Sequence, residues 1–126
     1  MILLDTHLLV WLYAGLLNRI PAAVQRRLNQ ERLALSPFAQ LELGDLYEVG
    51  RVKSPAETVI NDLRVRLELI VADAASAAVC DAALALTWTR DPFDRLLAAH
   101  ATVSALPLVT KDETIRRHLQ LAWWAE

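Results

Sequence analysis

Four carboxylates spread along the chain are the residues best suited to chemistry. They are Asp5, Glu42, Asp94 and Asp112. Carboxylates that converge in one pocket repel one another, which raises their pKa values unless a cation lies between them. Hard cations such as Mg²⁺ and Mn²⁺ prefer carboxylate oxygens and generate hydroxide from bound water at neutral pH. If the fold brings these residues together, we expect a cation site able to catalyse hydrolysis.

Short apolar runs separate the segments with helical signals. Each run is apolar on both faces, which is typical of strands buried in a parallel sheet. The predicted strands are Ile2–Leu4, Leu33–Leu35, Leu69–Ala72 and Leu106–Val109, with Leu119–Trp124 as a fifth strand at the edge. The alternation predicts a single α/β domain over residues 1–126, an α/β/α sandwich with a central parallel sheet of four to five strands.

Capping residues predict where the helices begin. Five starts are expected: Ser36-Pro37; the Ser54–Glu57 capping box; Asp73 before Ala74–Leu86; Asp91-Pro92 before a helix ending near Ser104; and Thr110–Glu113.

These elements would place the acidic residues at one edge of the sheet. Asp5 and Asp112 follow apolar strands, and Asp94 lies in the first turn of a helix. Sites of open α/β sheets form at the carboxyl ends of the strands. Glu42 shares a helical face with Phe38 and Leu46, and a carboxylate on an apolar stripe needs a reason to be there.

A structural role is the alternative for several of these acids. Asp91 is a good N-cap before Pro92, and Asp94 and Asp112 can serve helix N-termini and their dipoles. Asp5 ends a strand, and its structural alternative is only a turn with Thr6.

Composition and charge exclude several classes of protein. The hydrophobic fraction of 55% excludes a disordered chain, and Leu and Ala, 44 of the 126 residues, favour helices. A net charge of −2 excludes binding to nucleic acid by bulk charge. The lone Cys80 cannot form an internal disulfide or a Cys-based zinc site. The longest apolar stretch, Leu8–Leu17, is half the roughly 20 residues of a membrane span, and no signal peptide is visible, so we expect a soluble cytoplasmic protein.

Four segments, in order along the chain, carry a family resemblance. They are Met1–His7, Ser36–Arg51, Arg90–Ala101 with its Asp-Pro-Phe-Asp-Arg block, and Leu108–Asp112. Together they resemble a PIN domain of the VapC toxin type. The resemblance implies a PIN-like sheet with helices on both faces, a ribonuclease dependent on Mg²⁺ or Mn²⁺, a small antitoxin as inhibitor, and a homodimer. It matches Asp5, Glu42, Asp94 and Asp112 to the family's acidic quartet.

Smaller features of the resemblance concern residues near the quartet. Asp91 is an extra acid found in this subgroup, and His7 stands where many relatives have Asn.

Hydrolysis of an RNA phosphodiester gives the candidate residues their expected roles. Asp5 and Asp94 are predicted to be direct ligands, Glu42 to ligate the ion or hold its water, and Asp112 to complete the site. Thr6 and Thr110 are expected to hydrogen-bond metal-bound water or phosphate. One ion and two ions both fit this set.

Other residues have weaker assignments. Arg95 and Lys111 are predicted to contact RNA phosphates, and Trp11 is expected to pack in the core or at a dimer surface. Leu8–Leu17 is a candidate surface for the antitoxin.

Two rival functions follow from the same residues. Phosphoryl transfer onto Asp5 is disfavoured, because such enzymes tend to need an acid where this chain has His7. A non-catalytic PIN-like regulatory or RNA-binding module stays open as the alternative, and transfer, messenger and ribosomal RNA all stay open as substrates.

Overall fold

A sheet of five short parallel strands forms the centre of the protein. The computed structural model describes residues 1–126. The strands are β1 (Ile2–Leu4), β2 (Leu33–Leu35), β3 (Ile70–Val71), β4 (Leu108–Val109) and β5 (Ala122–Trp123). Their order across the sheet is β3-β2-β1-β4-β5, and each pair of neighbours is parallel. The predicted parallel sheet is therefore confirmed, with the chain's first strand at its centre.

Seven helices cover the two faces of this sheet. They are α1 (Thr6–Ala14), α2 (Ala22–Gln30), α3 (Pro37–Glu48), α4 (Ala56–Leu67), α5 (Ser76–Ala83), α6 (Pro92–Ser104) and α7 (Glu113–His118). Helices α1 to α4 bury their apolar residues in one core, and α6 and α7 bury theirs in a second core on the other face. α5 packs against α6.

Strand β1 shows how alternation builds the two cores. Ile2 and Leu4 belong to the core under α1 to α4, and Leu3 belongs to the core under α6 and α7. All three side chains are fully buried, as expected of a central parallel strand whose residues alternate between the faces. The edge strand β3 differs, because Val71 is exposed.

Two of the predicted helix starts are wrong. Ser54 does not cap α4: its hydroxyl lies 2.9 Å from the hydroxyl of Tyr13, and Pro55 occupies the N-cap position. Asp73 does not cap α5 either, because its carboxylate accepts a hydrogen bond from the amide of Ala74, two residues before the helix begins. In both cases the side chain predicted as a cap forms a hydrogen bond with another partner.

The other starts agree with the sequence. Ser36 caps α3 and Asp91 caps α6, each followed by a proline at the first helical position. α6 ends at Ser104, as predicted. In the last helix the cap is Asp112 rather than Thr110.

The segment Leu8–Leu17, a candidate surface for the antitoxin, divides between core and surface. Leu8, Leu9 and Leu12 are buried under α1, whereas Leu17 is 50% exposed. None of the helices has the length and apolar character needed to cross a membrane.

Candidate active site

The carboxyl ends of β1 and β4 bring distant parts of the chain together. Leu4 pairs with Val109, so the next residues, Asp5 and Thr110, also face one another. The amide of Asp5 donates to the carbonyl of Val109 at 3.0 Å, which fixes the chain at this point. The central strand β1 and its neighbour β4 therefore form the middle of the sheet edge that the sequence predicted as a site.

Asp5 occupies the N-cap position of α1, but its carboxylate makes no capping hydrogen bond. It instead accepts a hydrogen bond of 2.5 Å from the hydroxyl of Thr110. Asp5 is 8% exposed, and this burial raises the pKa of its carboxyl, with a smaller contribution from the charge of Asp112. The Thr110 bond and the nearby His7 work in the opposite direction. Because the Asp5 carboxylate does not cap α1, it is available to bind a ligand.

Glu42 reaches the same region from α3. Its Oε1 atom accepts a hydrogen bond of 2.6 Å from the hydroxyl of Thr6, the first residue of α1. Burial raises the pKa of Glu42 and the charges of Asp5 and Asp91 add to the effect, while the bond from Thr6 lowers it. The carboxylate on an apolar stripe therefore has its reason: it faces the acids at the sheet edge.

Asp94 lies in the first turn of α6 and shows that the acids share one electrostatic environment. Its pKa is raised to about 7, first by burial and then by the charges of Asp91, Asp5, Asp112 and Glu42. Repulsion among like charges in a partly buried pocket favours the neutral acid unless a cation compensates it. The predicted convergence of the quartet is consistent with these mutual effects.

Asp91 and Asp112 hold their helices in place. Asp91 accepts hydrogen bonds from the amides of Phe93 and Asp94 at 2.8 and 3.1 Å. Asp112 accepts one from the amide of Ile115 at 2.9 Å through Oδ1. The capping role predicted as an alternative is real for these two acids.

The two threonines hold carboxylates of the quartet. Thr6 and Thr110 are fully buried, and each donates its hydroxyl proton to an acid of the quartet. Thr110 also accepts a hydrogen bond from the amide of Asp112 at 3.1 Å, so it joins β4, Asp5 and the start of α7. The hydroxyls therefore fix the orientation of Glu42 and Asp5. Their contacts with metal-bound water or phosphate stay a prediction.

The donor set fits a cation that keeps much of its water. No group of three or more His, Cys, Asp or Glu side chains stands close enough to enclose one ion. Mg²⁺ usually retains several waters and takes only one or two carboxylates from a protein. Hard oxygen donors suit Mg²⁺ or Mn²⁺ better than a softer ion such as zinc.

A cavity of about 320 Å³ opens beside Asp5 and Asp112. Lys111 and Trp11 both line it. The contact of Lys111 with RNA phosphate stays a prediction, and the sequence predicts Trp11 in the core or at a dimer surface. Trp11 is half-buried and does both: it packs against the core and also faces the cavity. The spacing of His7 and Trp11, four residues apart in one helix, is the signal that could have revealed this.

Arg95 has a partner within the protein. Its guanidinium donates to the carbonyl of Ala83 at 2.8 Å and closes the end of α5. The contact of Arg95 with RNA stays a prediction.

Comparisons with known proteins agree with this geometry. The PIN domain family matches residues 2–118. Ribonuclease VapC22 of Mycobacterium tuberculosis is 33% identical over 119 residues, covering 93% of this chain and 91% of the relative.

Solved structures share the fold. VapBC2 from Rickettsia felis, bound to a DNA fragment from its promoter, superposes with a TM-score of 0.70 at 19% identity, covering 99% of this chain and 100% of the other. VapBC-1 from nontypeable Haemophilus influenzae gives a TM-score of 0.68 at 22% identity, covering 100% and 98%. At these identities the similarity is one of fold.

Proposed function

The chain belongs to the PIN domain family, within its VapC group, and from that membership we propose that it is a metal-dependent endoribonuclease and the toxin of a toxin–antitoxin pair. The observation that carries the proposal is the meeting of acids at the carboxyl ends of β1 and β4, where buried threonines hold Asp5 and Glu42. The carboxylates there repel one another, and this repulsion contributes to the raised pKa of Asp94. A cation site explains why this repulsion is retained at the carboxyl ends of the strands.

The residues of the chain would divide the work as follows. Asp5 and Asp94 would hold the ion, Glu42 would hold the ion or its water, and Asp112 would complete the site while it caps α7. Bound Mg²⁺ or Mn²⁺ supplies neutralisation of phosphate charge and a lowered pKa of water. Thr110 and Thr6 keep Asp5 and Glu42 in fixed orientations, so little reorganisation is needed when substrate arrives.

Cleavage of RNA tests this proposal. The purified protein should cleave single-stranded or looped RNA with Mg²⁺ or Mn²⁺, and a chelator should stop it. Asp5→Asn should slow cleavage on the order of a hundredfold, as expected when a charged group that stabilises the transition state is lost. Wild-type rates in Asp5→Asn would contradict the mechanism. RNA binding without cleavage in any metal would favour the non-catalytic alternative.

We also propose a small antitoxin as partner and a homodimer as the assembly. The solved structures that share the fold include VapBC proteins and a toxin–antitoxin complex from Klebsiella pneumoniae. A groove of about 770 Å³ between α1, α2 and α4 offers a surface of mixed apolar and charged side chains for a partner, with Arg66 and Glu68 among the charged ones. Its lining includes Leu17 and Val65, which are 50% and 83% exposed.

Growth and mass measurements test the partner and the dimer. Expression of the protein by itself should arrest growth, co-expression with its antitoxin should restore it, and Val65→Asp should weaken that rescue. A stable monomer at micromolar concentration, with no neutralising partner, would count against both assignments.

A further inference from the structure

The cavity beside Asp5 has a composition that cation binding does not explain. Its lining residues are Asp5, His7, Trp11, Lys111, Asp112 and Glu113. Trp11 is the apolar member of an otherwise charged or titratable set. A hydrated cation requires oxygen ligands and water, so an indole ring at this position needs another purpose.

The Trp11 ring is held firmly from within the protein. Its centroid lies 6.3 Å from that of Trp124, and the planes meet at 67° in an edge-on contact. Trp124 is buried, and both rings belong to the core under α1 to α4. Because the ring is already ordered by this packing, a ligand that stacks on it pays little further conformational entropy.

Lys111 places a positive charge over the same ring. Its Nζ atom lies 6.0 Å from the ring centroid, and the residue is exposed. The cavity otherwise holds three carboxylates, Asp5, Asp112 and Glu113, which repel a polyanion. Lys111 brings the one ammonium group to this lining.

We propose that the exposed part of the Trp11 ring stacks a base of single-stranded RNA, and that Lys111 contacts the adjoining phosphate. The inference rests on the proposed ribonuclease function and adds a base subsite beside its acids. A volume of about 320 Å³ lies at the lower end of the range for ligand pockets, roughly 300–1,000 Å³, and suits part of a nucleotide. Stacking is attractive to every base, so this subsite would supply affinity where the acids repel the backbone.

Trp123 provides a matched control. It is also half-buried, packs against the same core and carries a cation over its ring, with Arg27 at 4.5 Å from the centroid. It does not line the cavity, and Arg27 is paired with Glu31. A general effect of removing a half-buried tryptophan should therefore appear in Trp123→Leu as well as in Trp11→Leu.

Binding to two probes tests the proposal in an Asp94→Asn background, which prevents cleavage. The probes are fluorescein-labelled oligoadenylate and an abasic ribose-phosphate oligomer of equal length and charge. Trp11→Leu should weaken binding of oligoadenylate by about tenfold, the usual scale for loss of one stacked base, and binding of the abasic oligomer by less than about twofold. Trp11→Phe, which keeps an aromatic face against Trp124, should retain most of the affinity, and Trp123→Leu should change neither probe.

Lys111→Gln gives the complementary result. It should weaken both probes alike and reduce the slope of log affinity against log salt by about one, as expected for one phosphate contact. Equal losses for both probes in Trp11→Leu, or no loss for oligoadenylate in folded Trp11→Leu, would overturn the base subsite. Melting curves establish folding. If Trp11→Leu does not fold, the same comparison of the two probes is made with Trp11→Met, whose flexible side chain can keep contact with Trp124 but offers no aromatic face.

Failure of the subsite is distinguishable from failure of the proposed function. If the wild-type protein cleaves RNA with Mg²⁺ but Trp11→Leu loses no affinity that depends on the base, only the base subsite is wrong. If that protein neither binds nor cleaves RNA, the ribonuclease function fails and the subsite with it.

Discussion

The Nδ1 atom of His100 lies 2.7 Å from the hydroxyl of Ser36, and both residues are fully buried. Ser36 caps the helix that carries Glu42, and His100 belongs to the helix that carries Asp94. The bond therefore joins α6 to the start of α3. Burial lowers the pKa of His100, which keeps the imidazole neutral in this contact.

Removal of the Ser36 hydroxyl should cost more stability than removal of the imidazole. Ser36→Ala loses the helix cap and leaves Nδ1 of His100 without its partner, for an expected loss of about 2 kcal/mol in the free energy of unfolding. His100→Leu also removes Nε2, which has no partner, and this gain offsets part of its cost. Denaturant unfolding measures both, and a larger loss in His100→Leu would contradict this reading.

Asp5→Asn should stabilise the metal-free protein. The substitution removes a charge from among repelling carboxylates at nearly constant volume. Mg²⁺ at about 100 times its dissociation constant should stabilise the wild type by about 2.7 kcal/mol and the variant much less. Melting curves in chelator and in Mg²⁺ compare the four conditions. If Mg²⁺ shifts neither protein and Asp5→Asn melts lower in chelator, the clustered site is refuted.

Asp94 should make the metal-free protein less stable as the pH rises. Its pKa is about 7 in the fold against an ordinary value of 3.8, so the folded protein binds this proton more tightly than the unfolded chain does. The contribution is present in full below the ordinary pKa and is lost as the pH rises through 7. The difference in unfolding free energy between wild type and Asp94→Asn isolates it from other titrating groups. A difference that does not change with pH in chelator would show that the carboxyl has an ordinary pKa.

The same proton should compete with the cation. Since Mg²⁺ binds the carboxylate form of Asp94, its apparent affinity should rise between pH 6 and 8 in the wild type. In Asp94→Asn the residual affinity should depend less on pH over this range. Isothermal titration of Mg²⁺ at several pH values measures the effect without any RNA.

Thr110→Val should impair the site through Asp5. Valine keeps the shape but leaves Oδ2 of Asp5 and the amide of Asp112 without a partner, at a cost of about 1–3 kcal/mol. The pKa of Asp5 should rise further, because the bond from Thr110 lowers it. Mg²⁺ affinity should therefore fall most at low pH. Thr110→Ser, which keeps the hydroxyl, is the control, and equal behaviour of Ser and Val would exclude a role for the hydroxyl.

Asp91 and Asp94 should respond differently to the same change. Asp91→Asn retains a good N-cap, so stability should move little. Activity should fall less than in Asp94→Asn, because the Asp91 carboxylate is occupied by the amides of Phe93 and Asp94. Equal losses of cleavage in the two variants would make both residues ligands.

Local features of the site could be predicted from the sequence better than contacts between distant parts of the chain. The positions of Asp5, Asp94 and Asp112 could be predicted, because short segments of sequence indicate where strands end and helices begin. The bond between Thr6 and Glu42 could not, because it depends on how α1 packs against α3 over 36 residues of separation. Ser54 failed as a cap for the same reason, since its partner Tyr13 lies 41 residues away.

Trp11 shows a different limit. Its apolar neighbours correctly indicated packing, but a side chain that packs on one side and faces a cavity on the other gives the same pattern in the sequence. Similarly, the apolar run at Leu69–Ala72 indicated a strand without revealing that its Val71 lies at an exposed sheet edge.

The central position of β1 has a consequence for biosynthesis. Asp5 leaves the ribosome early, but the hydrogen bond from Thr110 spans 105 residues, and the strand that presents Thr110 must pair with β1 first. Contacts of such separation close only after the intervening chain has been made. The site at the ends of β1 and β4 therefore forms late in the folding of the chain, after almost all of these elements have been made.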